Sequence, residues 1–249
     1  KRKNPVSLNW YKDNGYLKEG LLNFLGLMAY SFKDGKEIFS LQEFKDTFNI
    51  DNVSLGGPVF DLVKLGWINN QHMRLKDLKE LTELTVPFFR AKGFVGEEIS
   101  EKEMKSLEKI VEILREHAHT LKELADESEV YFKDEYTLPE ITEDMDKKER
   151  KGIERLYNGI QDETGKASIK LFLKKIEEYP TEDISIDDAK KLLTDTLEEI
   201  GEGPAKVYMP LRAVLTGLPK GADLYNLISI IGKERTVNRM KRMMALYNI

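Results

Sequence analysis

His72, His117 and His119, the three histidines of the chain, are the side chains best suited to proton transfer or metal ligation near neutral pH. His117 and His119 stand two apart, which on a helix turns them to different sides, so the pair reads as surface or partner-contacting rather than as a metal site. The chain has no cysteine, which removes thiolate zinc ligands, disulfide frameworks and cysteine nucleophiles. Gly56-Gly57-Pro58 and Gly201-Glu202-Gly203-Pro204 look like phosphate cradles, but a turn or a helix restart explains each. Carboxylate pairs abound among 44 acidic residues and read as a solvated face. No nucleophile, metal or cofactor constellation emerges, and the arginines are more informative. Arg212 stands alone in the apolar run 209–215, where a guanidinium is costly unless it reaches a surface or meets an acceptor. The end of the chain is basic, with Lys233, Arg235, Arg239, Lys241 and Arg242 set against Glu234. On these residues alone, partner recognition and an internal salt bridge are equally good accounts.

The elements that must position these residues are helical, because apolar residues recur at three- and four-residue spacing and strict alternation is scarce. Ser40 with Glu43, flanked by Phe39 and Phe44, and Ser100 with Glu103 both spell a capping box. After Ser100, Met104, Leu107, Val111 and Leu114 form a stripe that predicts a helix to about His117. Asp146 with Glu149 makes a weaker cap before Ile153, Leu156 and Ile160. Ile169, Phe172 and Ile176 form another stripe, stopped by Pro180. Ser185 caps a run that Gly201 ends, and Gly203-Pro204 suits a restart. Pro210 falls inside the next run and predicts a kink. Asp223 is placed to cap the run after it, with Gly232 as a break before the basic last helix.

At 249 residues with 41% hydrophobic content the chain can build real cores, as one large domain or two to three small ones. A net charge of -5 argues against binding nucleic acid through bulk charge. No apolar stretch approaches the roughly 20 residues needed to span a bilayer. The stretch 126–149 carries ten acidic residues against three lysines and lacks a helical stripe, so it reads as a connection between helical bodies. A softer boundary is expected near 82–87. Lys1-Arg2-Lys3 at the start, with no methionine, suggests a processed, tagged or excised product.

Taken in order, several segments carry a resemblance. Asn9-Trp10-Tyr11, Gly15-Tyr16-Leu17 and the run from Val53 to Asn69 resemble the part of bacterial glutamyl-tRNA synthetases that follows the catalytic domain. Tyr208-Met209-Pro210-Leu211-Arg212-Ala213-Val214-Leu215-Thr216-Gly217 and the run from Leu227 to Arg235 resemble that family's C-terminal signature. The resemblance implies an all-α chain with a stem-contact region at 1–82 and two anticodon-binding subdomains at 83–145 and 146–249. It implies a part of an ATP-dependent, Mg2+-requiring glutamate–tRNA ligase that grips tRNA but is inactive alone and holds no cofactor of its own. Lys1 and Arg2 align with the last residues of the ATP-contacting signature, which makes Lys1 a remnant of that site. By the same carry-over Arg212 contacts the anticodon, as do the loop and helix start from Gly221 to Leu224. His117 falls where enzymes restricted to tRNA(Glu) carry an arginine that reads the third anticodon base. Neutral histidine offers one donor and one acceptor instead of arginine's fork, so a non-discriminating enzyme that also accepts tRNA(Gln) is expected. Asn70 stands where the family often has glycine, and no role is assigned to it. A cytoplasmic monomer that binds neither DNA nor membrane completes the expectation. The rival reading is a helical protein-interaction scaffold, which predicts no salt-sensitive tRNA binding.

Overall fold

The computed structural model describes residues 5–32, 34–54, 56–57 and 59–249. Among them there is no strand beyond one antiparallel bridge between Tyr30 and Val53, so the fold is all-α as the spacing predicts. No helix of the described residues is long and apolar enough to cross a membrane. The chain forms two compact units, the first ending at Glu129 and the second beginning at Val130.

The first unit contains α1 (Leu8–Asp13), α2 (Lys18–Ala29), α3 (Leu41–Thr47), α4 (Leu62–Leu75), α5 (Leu78–Ala91), α6 (Glu101–Leu114) and α7 (Leu121–Glu127). Both capping boxes form: the Ser40 and Ser100 hydroxyls accept from the Glu43 and Glu103 amides, and each glutamate reaches back to its serine amide. Asp61 caps α4 by accepting from Val63 and Lys64 amides, and the helix buries Leu65, Ile68, Asn69, His72 and Met73 on one face. Tyr11, Phe24, Leu65 and Ile68 make a core cluster where α4 packs on α2. His72 belongs to the same packing, its Nε2 lying 2.8 Å from Asn23 Oδ1. Burial pushes its pKa down, so it is a neutral structural donor.

The softer boundary expected near 82–87 lies inside α5, which is continuous there and buries Leu81, Thr82, Thr85 and Val86. Thr82 and Thr85 donate their hydroxyls to carbonyls one turn back, at Leu78 and Leu81, so these polar side chains interrupt the apolar pattern without interrupting the helix. The chain passes from one unit to the next in a short α8 (Glu129–Phe132), within the acidic stretch 126–149.

The second unit packs α9 (Lys147–Gln161), α10 (Glu163–Glu178), α11 (Ile186–Ile200), α12 (Pro204–Thr216) and α13 (Leu224–Tyr247), with α10 touching the other four. Asp146 and Ser185 cap α9 and α11 as expected, and Gly201 ends α11 in the left-handed conformation at φ 70°. The helix α12 restarts at Gly203-Pro204 and runs through Pro210 to Thr216. Pro210 stands at a close approach of three helices. A Cβ added to Gly159 would meet Pro210 Cγ at 3.3 Å, and one added to Gly165 would collide with the Gly159 carbonyl. Gly232 breaks α13 with φ 76° and ψ -179°. The helix that resumes there is capped by Glu182, whose main-chain carbonyl accepts from Lys233 N at 2.9 Å and whose carboxylate accepts from Glu234 N at 3.1 Å. Asp223 occupies the N-cap of α13 but its carboxylate makes no cap bond. It accepts instead from Tyr225 Oη at 2.8 Å, which turns it towards the site described next.

Candidate functional site

The strongest candidate lies in the second unit. Leu211, Ala213, Val214 and Leu215 are fully buried on α12, and Arg212 between them is half-buried, on the wall of a cavity of about 320 Å³. That volume falls in the range of small-ligand sites, roughly 300–1,000 Å³. Its lining includes Lys190 from α11, Tyr208 and Arg212 from α12, and Asp223, Leu224 and Tyr225 at the start of α13. Arg212 Nη2 donates to the Ala222 carbonyl at 3.0 Å, while Nη1 is buried with no hydrogen-bond partner. Burial pushes the Arg212 pKa down and the Asp223 carboxylate opposes it, so the guanidinium remains a cation held in a partly desolvated place. Lys190 Nζ lies 4.9 Å from the centre of the Tyr225 ring. An unpaired charged donor beside two tyrosines suits a planar group with acceptors on its edge.

Sequence reasoning placed Arg212, Gly221 and Leu224 together, and the structure brings Arg212 and Leu224 to one cavity. Gly221 lies just before it, at φ 122° and with open space around its Cα, in the loop whose Ala222 carbonyl Arg212 holds. Lys190 and Tyr225 were missed as site residues. Lys190 looks like any lysine on an amphipathic helix, and only the tertiary packing puts it over Tyr225.

His117 belongs to the first unit. The helix α6 stops at Leu114, three residues short of the expected end, and residues 115–120 form a turn before Thr120 caps α7. The stripe ended because Ala118, fully buried, peels inward while His117 and His119 stay exposed on either side of it. His119 pairs with Glu123, its main-chain amide donating to the carboxylate at 2.7 Å and Nδ1 lying at 3.3 Å. Among the described residues no group of three or more His, Asp or Glu side chains is placed to hold a metal ion. Lys1 lies outside the described residues.

The basic last helix, for which partner recognition and an internal salt bridge were equally good accounts, has four of its five basic side chains held by main-chain carbonyls or by the carboxylate of Asp134. Arg239 is 1% exposed and donates to Asp134 Oδ1 at 2.7 Å, to Lys133 O at 2.9 Å and to Leu215 O at 3.2 Å. Arg235 makes a forked pair with the same carboxylate, at 2.8 and 2.9 Å. Arg242 donates to the Tyr136 carbonyl at 2.6 Å, and Lys233 Nζ to the Tyr179 carbonyl at 2.6 Å. Lys241 pairs with Glu177 on the surface. The internal salt bridge is therefore what this helix builds, and residues 131–138 of the acidic stretch are a strap on the second unit rather than a loose connection.

Comparison with known proteins agrees with this architecture. Residues 80–244 match the family described as "Anticodon binding domain", and residues 1–67 match "tRNA synthetases class I (E and Q), catalytic domain". The chain is 61% identical over 250 residues to the glutamate–tRNA ligase of Fusobacterium nucleatum, covering all of this chain and 49% of that protein. It is 35% identical to the glutamate–tRNA ligase of Thermus thermophilus, covering 98% of this chain and 48% of that protein. It thus spans about half the length of the curated relatives it matches. Among solved structures, a glutamate tRNA ligase from Elizabethkingia meningosepticum superposes with a TM-score of 0.73 at 26% identity, over 94% of this chain and 42% of that one. With an anticodon-binding domain model over most of its length and ligases of one kind among its relatives, the chain belongs to the glutamyl-tRNA synthetase family.

Proposed function

We propose that this chain grips tRNA and reads its anticodon for a ligase that attaches glutamate to tRNA. The observation that carries the reading is the buried, unpartnered Nη1 of Arg212 on the wall of a cavity flanked by Tyr208 and Tyr225. A buried charged donor without an acceptor is costly, and an unstacked base supplies the missing acceptor while its ring packs on an aromatic side chain. Lys190, Gly221 and Leu224 complete this subsite. His117 stands exposed in the 115–120 turn and is the proposed reader of the third anticodon base. An imidazole, with two ring nitrogens in place of an arginine's five-donor fork, favours acceptance of both tRNA(Glu) and tRNA(Gln).

The division into a stem-contact part at 1–82 and anticodon-binding parts after it belongs to the same proposal, as do a monomeric state and a cytoplasmic setting. ATP with Mg2+ is the proposed co-substrate of the whole ligase, its only proposed contact here being Lys1. This chain by itself is expected not to aminoacylate, since its match to the catalytic family is confined to residues 1–67. Filter binding of tRNA(Glu) transcripts at several salt concentrations tests the reading. Arg212→Ala should weaken binding about 10- to 100-fold, the range set by roughly 1.5–3 kcal/mol for a hydrogen bond to a charged group. Equal binding by Arg212→Ala, or no salt-sensitive binding at all, would leave the scaffold reading standing. A preference for tRNA(Glu) over tRNA(Gln) above about tenfold, 1.4 kcal/mol, would refute non-discrimination.

A further inference from the structure

We infer that Asn70 is a positioning residue for base reading by His117, an inference that rests on the reading role proposed for His117. Asn70 is 6% exposed on α4, and its single amide group uses both N–H donors on the turn that carries His117. Nδ2 donates to the Arg115 carbonyl at 2.9 Å and to the Ala118 carbonyl at 2.8 Å, so the two bonds bracket His117 along the chain. The neighbouring Asn69 donates to the His119 carbonyl at 2.7 Å and is itself fixed by the Leu17 amide at 2.7 Å. Leu121 N donates to the Gly15 carbonyl at 3.0 Å and closes the far end of the turn. Three carbonyls of the turn therefore face inward onto α4, Ala118 is pegged inside, and the two imidazoles are presented outward.

A glycine at position 70 has no side-chain donor, so it would leave the Arg115 and Ala118 carbonyls without these bonds. A histidine has fewer rotatable bonds and a shorter reach than an arginine. Its contact with a base therefore depends on where the backbone places it, and that backbone is what the Asn70 amide holds. Asn70 touches no base itself, because its donors are spent on carbonyls and its side chain is buried.

The test uses the 249-residue chain and tRNA(Glu) transcripts in which either the third or the first anticodon nucleotide is abasic. For the unaltered chain, loss of the third base should weaken binding at least fivefold. Asn70→Gly should reduce that dependence to under twofold, with the first-base dependence unchanged within twofold. His117→Ala should abolish the third-base dependence likewise, and adding Asn70→Gly to it should change nothing further. Asn70→Ser, whose hydroxyl can retain one carbonyl, should fall between, and it carries the test if the glycine variant does not fold. Full third-base dependence in a folded Asn70 variant would overturn the inference, as would equal loss at both anticodon positions, the mark of a merely structural role. If His117→Ala keeps the full dependence, the reading role of His117 fails first and the positioning role falls with it.

Discussion

Replacing Asp134 by alanine removes the one carboxylate shared by Arg235 and Arg239. The Arg239 side chain is fully buried, whereas the Asp134 side chain is 46% exposed. Breaking a buried pair by deleting one partner costs about 3–5 kcal/mol, because a charge is left without compensation. Two features lower that figure here. Water can reach the vacated place from the exposed side of Asp134, and Arg239 keeps two carbonyl acceptors, Lys133 O and Leu215 O. The expected loss is therefore about 2–3 kcal/mol. For a unit of about 120 residues this corresponds to a fall in Tm of roughly 6–15 °C. Thermal melting followed by circular dichroism measures it, with Arg235→Ala as a milder comparison because that side chain is 36% exposed. Asp134→Asn should lose about half as much, since the amide oxygen still accepts from one guanidinium. A fall below about 2 °C for Asp134→Ala would refute the claim that the acidic strap and the basic helix hold each other.

The same pair gives a pH dependence. Burial pushes Asp134 up, but the hydrogen bonds from Arg235 and Arg239 outweigh it and hold the carboxyl below its ordinary value. Its stabilisation is thus complete above the unfolded pKa of about 4 and is lost as pH falls through the depressed folded value, so Asp134→Asn should flatten the acid limb of a Tm-against-pH curve below about pH 4. Gly165→Ala, which helix propensity alone would favour by about 1 kcal/mol, should instead destabilise by roughly 1–3 kcal/mol, because its Cβ would collide with the Gly159 carbonyl and meet Pro210 Cγ at 3.0 Å. A denaturant titration showing stabilisation would contradict that packing. Gly232→Ala should cost about 1–3 kcal/mol in the same assay, from the positive φ and from a Cβ only 2.6 Å from Glu182 Oε1. Arg235→Gln should leave the slope of log Kd for tRNA against log salt unchanged, whereas a phosphate contact would lower that slope by about 1.

The helix starts were legible in the sequence, because a cap is a local event: Ser40, Ser100, Asp146 and Ser185 each accept from amides two or three residues on. The all-α class, the end of α11 at Gly201 and the break at Gly232 follow from spacing and from the conformational freedom of glycine in the same way. The family could also be read, from the order of several short segments no one of which would have sufficed. Arg212 was legible as an anomaly, a charge in an apolar run, though its neighbours did not say whether it met water, a carbonyl or nothing. Tertiary structure decided what the chain alone could not, because the partners concerned are remote in sequence. Arg235 and Asp134 are 101 residues apart, Asn70 and the Ala118 carbonyl 48. Periodicity reports which face of a helix is buried, but not which distant acceptor a long cationic side chain or a buried amide will find. For that reason the sequence left the basic helix open between a partner and an internal salt bridge, and Asn70 looked idle when both of its donors were in use.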